Sequence, residues 1–122
     1  MSDFSYEIGS DNIAVIKWDV PNKKFNVLTI EGIDEIEKIL DELFEKNGLK
    51  GVIISSYKDN FSAGMDLNVL AHLQDQSKNK EEIFQFVMRA HKFLRKIELG
   101  GTDFNTKKKA IPFVLSLIHI WR

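Results

Sequence analysis

An α/β fold is predicted for this 122-residue chain by three observations. A β-branched run, an amphipathic helical stretch and a second apolar run follow one another within about 45 residues, the spacing of a strand-helix-strand crossover. The second run has no polar residue in its middle, as in a strand covered by other layers. A loop of small residues lies at that strand's carboxyl end, where open α/β sheets gather their ligand-binding loops.

Taken in order, Ile13, Val15, Ile16, Trp18 and Val20 mark a strand over 13–20, closed by Pro21-Asn22, with residues 6–8 placed to pair with it. From Thr29 the period changes. Ile33, Ile36, Leu40, Leu43 and Phe44 share one helical face, with Glu31, Asp34, Glu35, Glu37, Lys38, Asp41 and Glu42 mostly on the other. Thr29 is the expected cap and Gly48 the expected left-handed stop. Residues 49–56 then read as a central strand covered on both faces, followed by the loop 57–64.

Asp66 is expected to cap a short helix that ends before the polar stretch 74–80. A second long helix is predicted over 80–99, with Ile83, Phe86, Val87, Ala90, Phe93, Leu94 and Ile97 on one face and Gly100-Gly101 as its stop. Met65, Met88, Phe84, Phe86 and Phe93 are expected in or near the core. After a polar connection, residues 110–115 read as another buried strand without a following helix to cover it.

Composition narrows the function. With 43% hydrophobic and 29% charged residues the chain reads as one soluble globular unit, neither disordered nor membrane-embedded. A net charge of -1, and no basic cluster larger than Lys107, Lys108 and Lys109, argue against nucleic acid as a partner, because phosphate binding needs a focused positive surface. Cysteine is absent, so no disulfide framework or thiolate site is available, and the cytoplasm is the default location. The first ten residues carry Asp3 and Glu7 and lack the apolar core of a secretory signal. Residues 110–121 are too few to span a bilayer and are interrupted by Pro112, so no transmembrane segment is expected. His72, His91 and His119 have no metal-ligand spacing, and no metal is expected.

The segment Phe61-Ser62-Ala63-Gly64-Met65-Asp66 has a chemical logic of its own. Small residues let a ligand approach the backbone, Gly64 permits a tight turn, and such turns expose amide hydrogens. A backbone donor aimed at a developing oxyanion is worth about 3 kcal/mol. A strand-to-helix turn with no chemistry would produce the same pattern, and the six residues alone do not separate the two.

The order of the 13–20 strand, Pro21 with Asn26, the long helix, Gly51-Val52-Ile53-Ile54 and Phe61-Ser62-Ala63-Gly64-Met65-Asp66-Leu67 resembles the N-terminal part of the crotonase (enoyl-CoA hydratase/isomerase) superfamily. More narrowly, Ala63-Gly64-Met65-Asp66-Leu67-Asn68, Arg95-Lys96-Ile97-Glu98 in the second helix and the insert before Pro112 resemble the fatty acid oxidation complex alpha subunits, which join enoyl-CoA hydratase to 3-hydroxyacyl-CoA dehydrogenase. The resemblance implies a truncated crotonase-type ββα spiral and a coenzyme A thioester substrate. It implies that the backbone N–H of Met65 donates to the thioester carbonyl, that Ala63 and Gly64 flank it, and that Asp66, Leu67 and Asn68 lie along the adenine end of coenzyme A. Lys23 matches, loosely, a basic position near the coenzyme A phosphates.

Family members continue past the Pro112 strand into a Gly-rich segment and two glutamates that add water across the double bond, and none of these matches here. Glu31, Glu35, Glu42, Glu81 and Glu82 are expected on solvated helix faces and do not replace them. Residues 115–120 depart from the family and resemble a translated transposon-end adapter. Residues 1–114 are therefore expected to be the N-terminal portion of an enoyl-CoA hydratase domain, with 115–122 a non-native tail. The implied activity is hydration of 2-enoyl-CoA in fatty acid β-oxidation, with an NAD-dependent dehydrogenase in a C-terminal region and the fragment itself inactive. The implied whole protein is oligomeric, with a thiolase subunit as a partner. The alternatives are another crotonase-type acyl-CoA enzyme, an isomerase or thioester hydrolase, or a non-catalytic acyl-CoA- or protein-binding module.

Overall fold

The computed structural model describes residues 2–73, 80–101 and 111–117. The chain runs β1 (Phe4–Ile8), β2 (Ile13–Trp18), α1 (Ile30–Phe44), β3 (Gly51–Ser56), α2 (Leu67–Leu73), α3 (Lys80–Glu98) and β4 (Phe113–Leu117). The strands form one sheet in the order β1-β2-β3-β4. β1 is antiparallel to β2, and β3 and β4 follow in parallel, as predicted for strands joined through helices.

Alternation along the strands decides which face is core. Ala14, Ile16 and Trp18 of β2, with Val52 and Ile54 of β3, face α1 and are buried. The apolar stripe of α1, Ile33, Ile36, Ile39, Leu40 and Leu43, meets them in one cluster. Burying each such side chain stabilises the fold by about 1.5–3 kcal/mol. Thr29 caps α1 as expected, its Oγ1 accepting from Gly32 N at 2.8 Å. α3 packs over the same cluster through Phe93, Phe86, Ala90 and Ile97. Arg89 fastens it to α1, donating to Glu37 at 2.9 and 3.0 Å and to Asp34. Those two carboxylates hold the guanidinium above its ordinary pKa, chiefly through the Glu37 hydrogen bonds.

Several expectations need correction. α1 stops at Phe44, before Gly48: the Lys46 N–H folds back to Leu43 O at 3.2 Å, and Gly48, at φ +80°, turns the chain toward β3 instead. β3 is not covered equally on both sides, for Ile53 is only half-buried and pairs in register with Val15 and with the exposed Val114. The strand predicted over 110–115 lies at 113–117, because Pro112 precedes it, and Leu115 is 60% exposed on the sheet edge. On α3 only Phe93 is buried; Val87 and Leu94 of the predicted face, together with Phe84 and Met88, are exposed. Glu35 and Glu42 are not simply solvated, since Glu35 accepts from Asp3 N at 2.8 Å and Glu42 from the Tyr6 hydroxyl at 2.9 Å.

The stop at Gly100-Gly101 takes the predicted form. Gly100 N bonds Ile97 O at 3.1 Å and Gly101 N bonds Lys96 O at 3.0 Å, a paired closure that needs the left-handed φ of +63° at Gly100. The linker 74–79, the segment 102–110 with Lys107, Lys108 and Lys109, and the tail 118–122 with His119 and Trp121 lie outside the described residues.

Candidate functional site

At the carboxyl ends of β2 and β3 two loops meet. One, 19–29, leaves β2; the other, 57–66, leaves β3 and enters α2. They are stitched by backbone bonds: Ala63 N to Asn26 O at 2.8 Å, Leu28 N to Gly64 O at 2.8 Å and Asp66 N to Leu28 O at 2.9 Å. Leu28 and Met65 thus form a one-residue parallel bridge. In such a bridge the residues on either side of Met65 turn their polar groups toward the partner, while those of Met65 itself turn away. Among the described residues, the Met65 N–H donates to no protein acceptor.

Local sequence explains the shape of the turn. Ser62 Oγ donates to Asn26 O at 3.2 Å and accepts from Gly64 N at 3.0 Å. Gly64 sits at φ +95°, which a side chain rarely tolerates, and a Cβ built there meets nothing within 4 Å. The glycine is therefore required by backbone conformation, and space above it is open. Asp66 caps α2 as predicted, its Oδ1 accepting from Asn68 N at 3.2 Å. Ala63, Gly64, Leu67 and Asn68 are exposed along this rim, Leu67 at 78%.

Lys23 is brought from the other loop to the same rim. Its Nζ lies 3.9 Å from Asp66 Oδ1, with 42% of the side chain exposed. An apolar cavity of about 240 Å³ lies beneath, lined by Trp18, Leu28, Phe61, Ser62, Phe93 and Leu94 among others. Trp18 stacks on Phe4 at 5.2 Å and meets Phe61 edge-on at 5.5 Å. Together the loops offer an amide turned away from its bridge partner and a partly exposed lysine on the rim, and an apolar recess reaches Leu28 and Ser62.

Three residues of this region carry more than the sequence reading gave them. Asn26, fully buried, ties both loops together through its side chain. Ser56 is its buried partner, and a polar residue ending the apolar run Gly51-Val52-Ile53-Ile54 was the available signal. Lys58 holds the turn that carries Lys23, its Nζ reaching Val20 O at 2.9 Å, Lys23 O at 2.6 Å and Asp19 Oδ1 at 3.0 Å. Nothing local announces that role, because its partners lie on the other loop. Among the described residues no group of three or more His, Cys, Asp or Glu could hold a metal ion, and no helix is long and apolar enough to cross a membrane.

A mixed sheet, parallel across β2, β3 and β4, with a glycine turn at its carboxyl edge places the chain among α/β proteins whose loops gather at that edge. The model of the enoyl-CoA hydratase/isomerase family matches residues 9–95, and the chain belongs to that family. Its fold is that of solved crotonase-type structures. A putative enoyl-CoA hydratase/isomerase (crotonase) from Legionella pneumophila superposes with a TM-score of 0.75 over 94% of this chain and 39% of its own, at 18% identity. Enoyl-CoA hydratase from Thermoplasma volcanium gives 0.70 over 94% and 40%, also at 18% identity. The enoyl-CoA hydratase from Geobacillus kaustophilus gives 0.65 over 80% and 34%, at 26% identity. The chain thus spans about two fifths or less of the length of these relatives.

Proposed function

We propose that this chain supplies the thioester-gripping part of an enzyme that hydrates 2-enoyl-CoA to 3-hydroxyacyl-CoA in fatty acid β-oxidation. The family match supports an acyl-CoA substrate. The observation that carries the reading is the unpartnered Met65 N–H on a loop pinned at three flanking backbone positions. In hydration, water oxygen bonds to C3, the C2–C3 π pair moves onto the thioester as an enolate, and C2 then takes a proton. Negative charge builds on the thioester oxygen, so a fixed N–H gains strength during the reaction, which is how a donor lowers a barrier. Ala63 and Gly64 let the thioester approach; Asp66, Leu67, Asn68 and Lys23 form the rim for coenzyme A, with Lys23, partly exposed in its long ion pair with Asp66, the group that would meet a phosphate. The apolar cavity beside Ser62 suits an acyl chain.

Water addition also needs a carboxyl pair, one to activate water and one to deliver the proton. Glu35 is committed to the Asp3 N–H and Glu42 to the Tyr6 hydroxyl, and Glu31, Glu81 and Glu82 are exposed on helices, so residues 1–122 alone should not turn over. On the same reading the protein is cytoplasmic, and its closest functional type is the oligomeric alpha subunit that works with a thiolase subunit. NAD would belong to a dehydrogenase region beyond these residues; the chain has no Gly-x-Gly-x-x-Gly turn to hold it, and no step here runs through it. Residues 115–122 are taken as a non-native tail, to be checked by reading the coding sequence downstream of the Val114 codon.

The test is a titration of isotope-labelled Met1–Arg122 with crotonyl-CoA, followed amide by amide. The Met65 amide should shift, with neighbours at 63–68, and hydratase assay of the same sample should stay at the buffer rate. A Met65 amide that does not respond at saturation overturns the oxyanion role, and turnover above buffer overturns the inactivity. Isomerase and thioesterase chemistries would use the same donor and are separated by product analysis on a longer chain that carries the acid/base groups.

A further inference from the structure

The most deeply buried polar side chain of the site belongs to none of the rim residues. Asn26 is 0% exposed, and both N–H groups of its amide are used. Its Oδ1 accepts from Val20 N at 3.0 Å, while Nδ2 donates to Trp18 O at 3.0 Å, Ser56 Oγ at 2.9 Å and Phe61 O at 3.3 Å. Ser56, also 0% exposed, extends the set by donating to Asn60 O at 2.5 Å and accepting from Lys58 N at 3.2 Å. The side chain therefore touches the end of β2, the end of β3 and the stem of the loop that leads to Met65. Its own carbonyl takes Ala63 N and Ser62 Oγ, two and three residues before Met65.

We infer that Asn26 is a positioning residue for the Met65 amide: through Ser56 and Phe61 it fixes the loop 57–66 against the loop 19–29, so that the donor is set before any ligand arrives. The role rests on the proposed use of Met65 and adds to it the part that does the holding. Asparagine suits the task because one planar amide presents an acceptor and two donors in fixed directions. A buried group with that many partners has one low-energy pose, since a buried polar partner left unmet is costly. Preset donors pay no reorganisation during reaction. Replacing the donors by a second acceptor should therefore loosen the loop while α1, to which Asn26 makes no hydrogen bond, stays intact.

The experiment is site-resolved amide exchange on Met1–Arg122, comparing Asn26→Asp and Ser56→Ala with the parent chain. Asn26→Asp keeps the shape and the bond from Val20 N but removes the donors; Ser56→Ala removes the bonds of Ser56 Oγ with Asn26, Asn60 and Lys58, leaves Asn26 its bonds to Val20, Trp18 and Phe61, and is the milder change should Asn26→Asp fold poorly. Exchange at the seam amides of Leu28, Ala63 and Asp66 should rise tenfold or more in Asn26→Asp and less in Ser56→Ala. The amides of Leu40 and Leu43 in α1 should hold their rates. A uniform rise across seam and α1 in both variants would mean that Asn26 serves general stability, and unchanged seam rates would mean that it positions nothing; either result overturns the inference. Crotonyl-CoA then separates the two claims, because exchange needs no ligand: loss of the Met65 shift in a folded Asn26→Asp supports positioning for the thioester, whereas a parent chain whose Met65 ignores crotonyl-CoA overturns only the proposed function.

Discussion

The two ends of the sheet are held by opposite means. At the carboxyl ends of β2 and β3, Asn26 and Ser56, both at 0% exposure, are hydrogen-bonded across the two loops, and among the described residues Trp18 Nε1 is the buried side-chain polar atom left without a partner. At the β4 edge, apolar groups remain uncovered: Val114 and Leu115 are more than half exposed, and Leu94 of α3 nearby is too. Hydrogen bonds are directional and satisfy themselves within a few residues, so the loop seam closes with what this chain contains. Apolar faces are satisfied only by area, and area must come from another layer. The difference teaches that the backbone bonds flanking Met65 are made by the two loops themselves, without a residue of the β4 edge.

Breaking what the two regions share should have the largest effect. Leu40 is 0% exposed and central to the layer under both. Leu40→Ala should cost about 2–5 kcal/mol in urea unfolding and loosen seam and edge together. A loss under 1 kcal/mol would show that α1 does not carry the sheet.

A second substitution sharpens the contrast by acting on the edge alone. A Cβ on Gly100 would lie 2.4 Å from Ile111 O, at a left-handed φ of +63°, whereas one on Gly48, at φ +80°, meets nothing within 4 Å. Gly48→Ala should cost about 1–2 kcal/mol from backbone strain only. Gly100→Ala carries the same strain plus a collision with backbone, so it should cost more and free the β4 amides while the seam amides of Leu28 and Asp66 keep their rates. Equal losses for the two variants would contradict the close packing of 111 on the α3 stop.

The smallest effect concerns pH, at the opposite edge strand. The hydrogen bond to Glu42, followed by burial, raises the Tyr6 phenol above its ordinary 10.0. The folded chain then holds that proton more tightly than the unfolded chain does. Its contribution is full below pH 10 and is lost as pH rises through the raised value. Tyr6→Phe should thus show a shallower fall in stability above pH 10 than the parent, in paired urea melts. Parallel curves would mean the bond contributes nothing.

Periodicity and caps were legible without a structure. The stripe from Ile33 to Leu43, Thr29 as the cap, Asp66 at the start of α2 and the double glycine after α3 all depend on neighbours two to five residues away, and the chain displays them directly. The glycine turn before Met65 was visible for the same reason. Burial was less legible. Val87 and Leu94 fit a helical stripe as well as Phe93 does, yet only Phe93 reaches the cluster, because the width of the stripe is read from sequence and its occupant is not.

What the sequence determined by itself was the set of elements, their order and the turn that exposes an amide, since each follows from local conformational preference. Only the tertiary structure decided that Lys23 would lie beside Asp66, that Lys58 would hold the loop before it, and that Asn26 would fasten two loops at once. Those contacts join residues separated by a whole crossover, and the side chains making them look like ordinary surface residues until the sheet brings their loops to one edge.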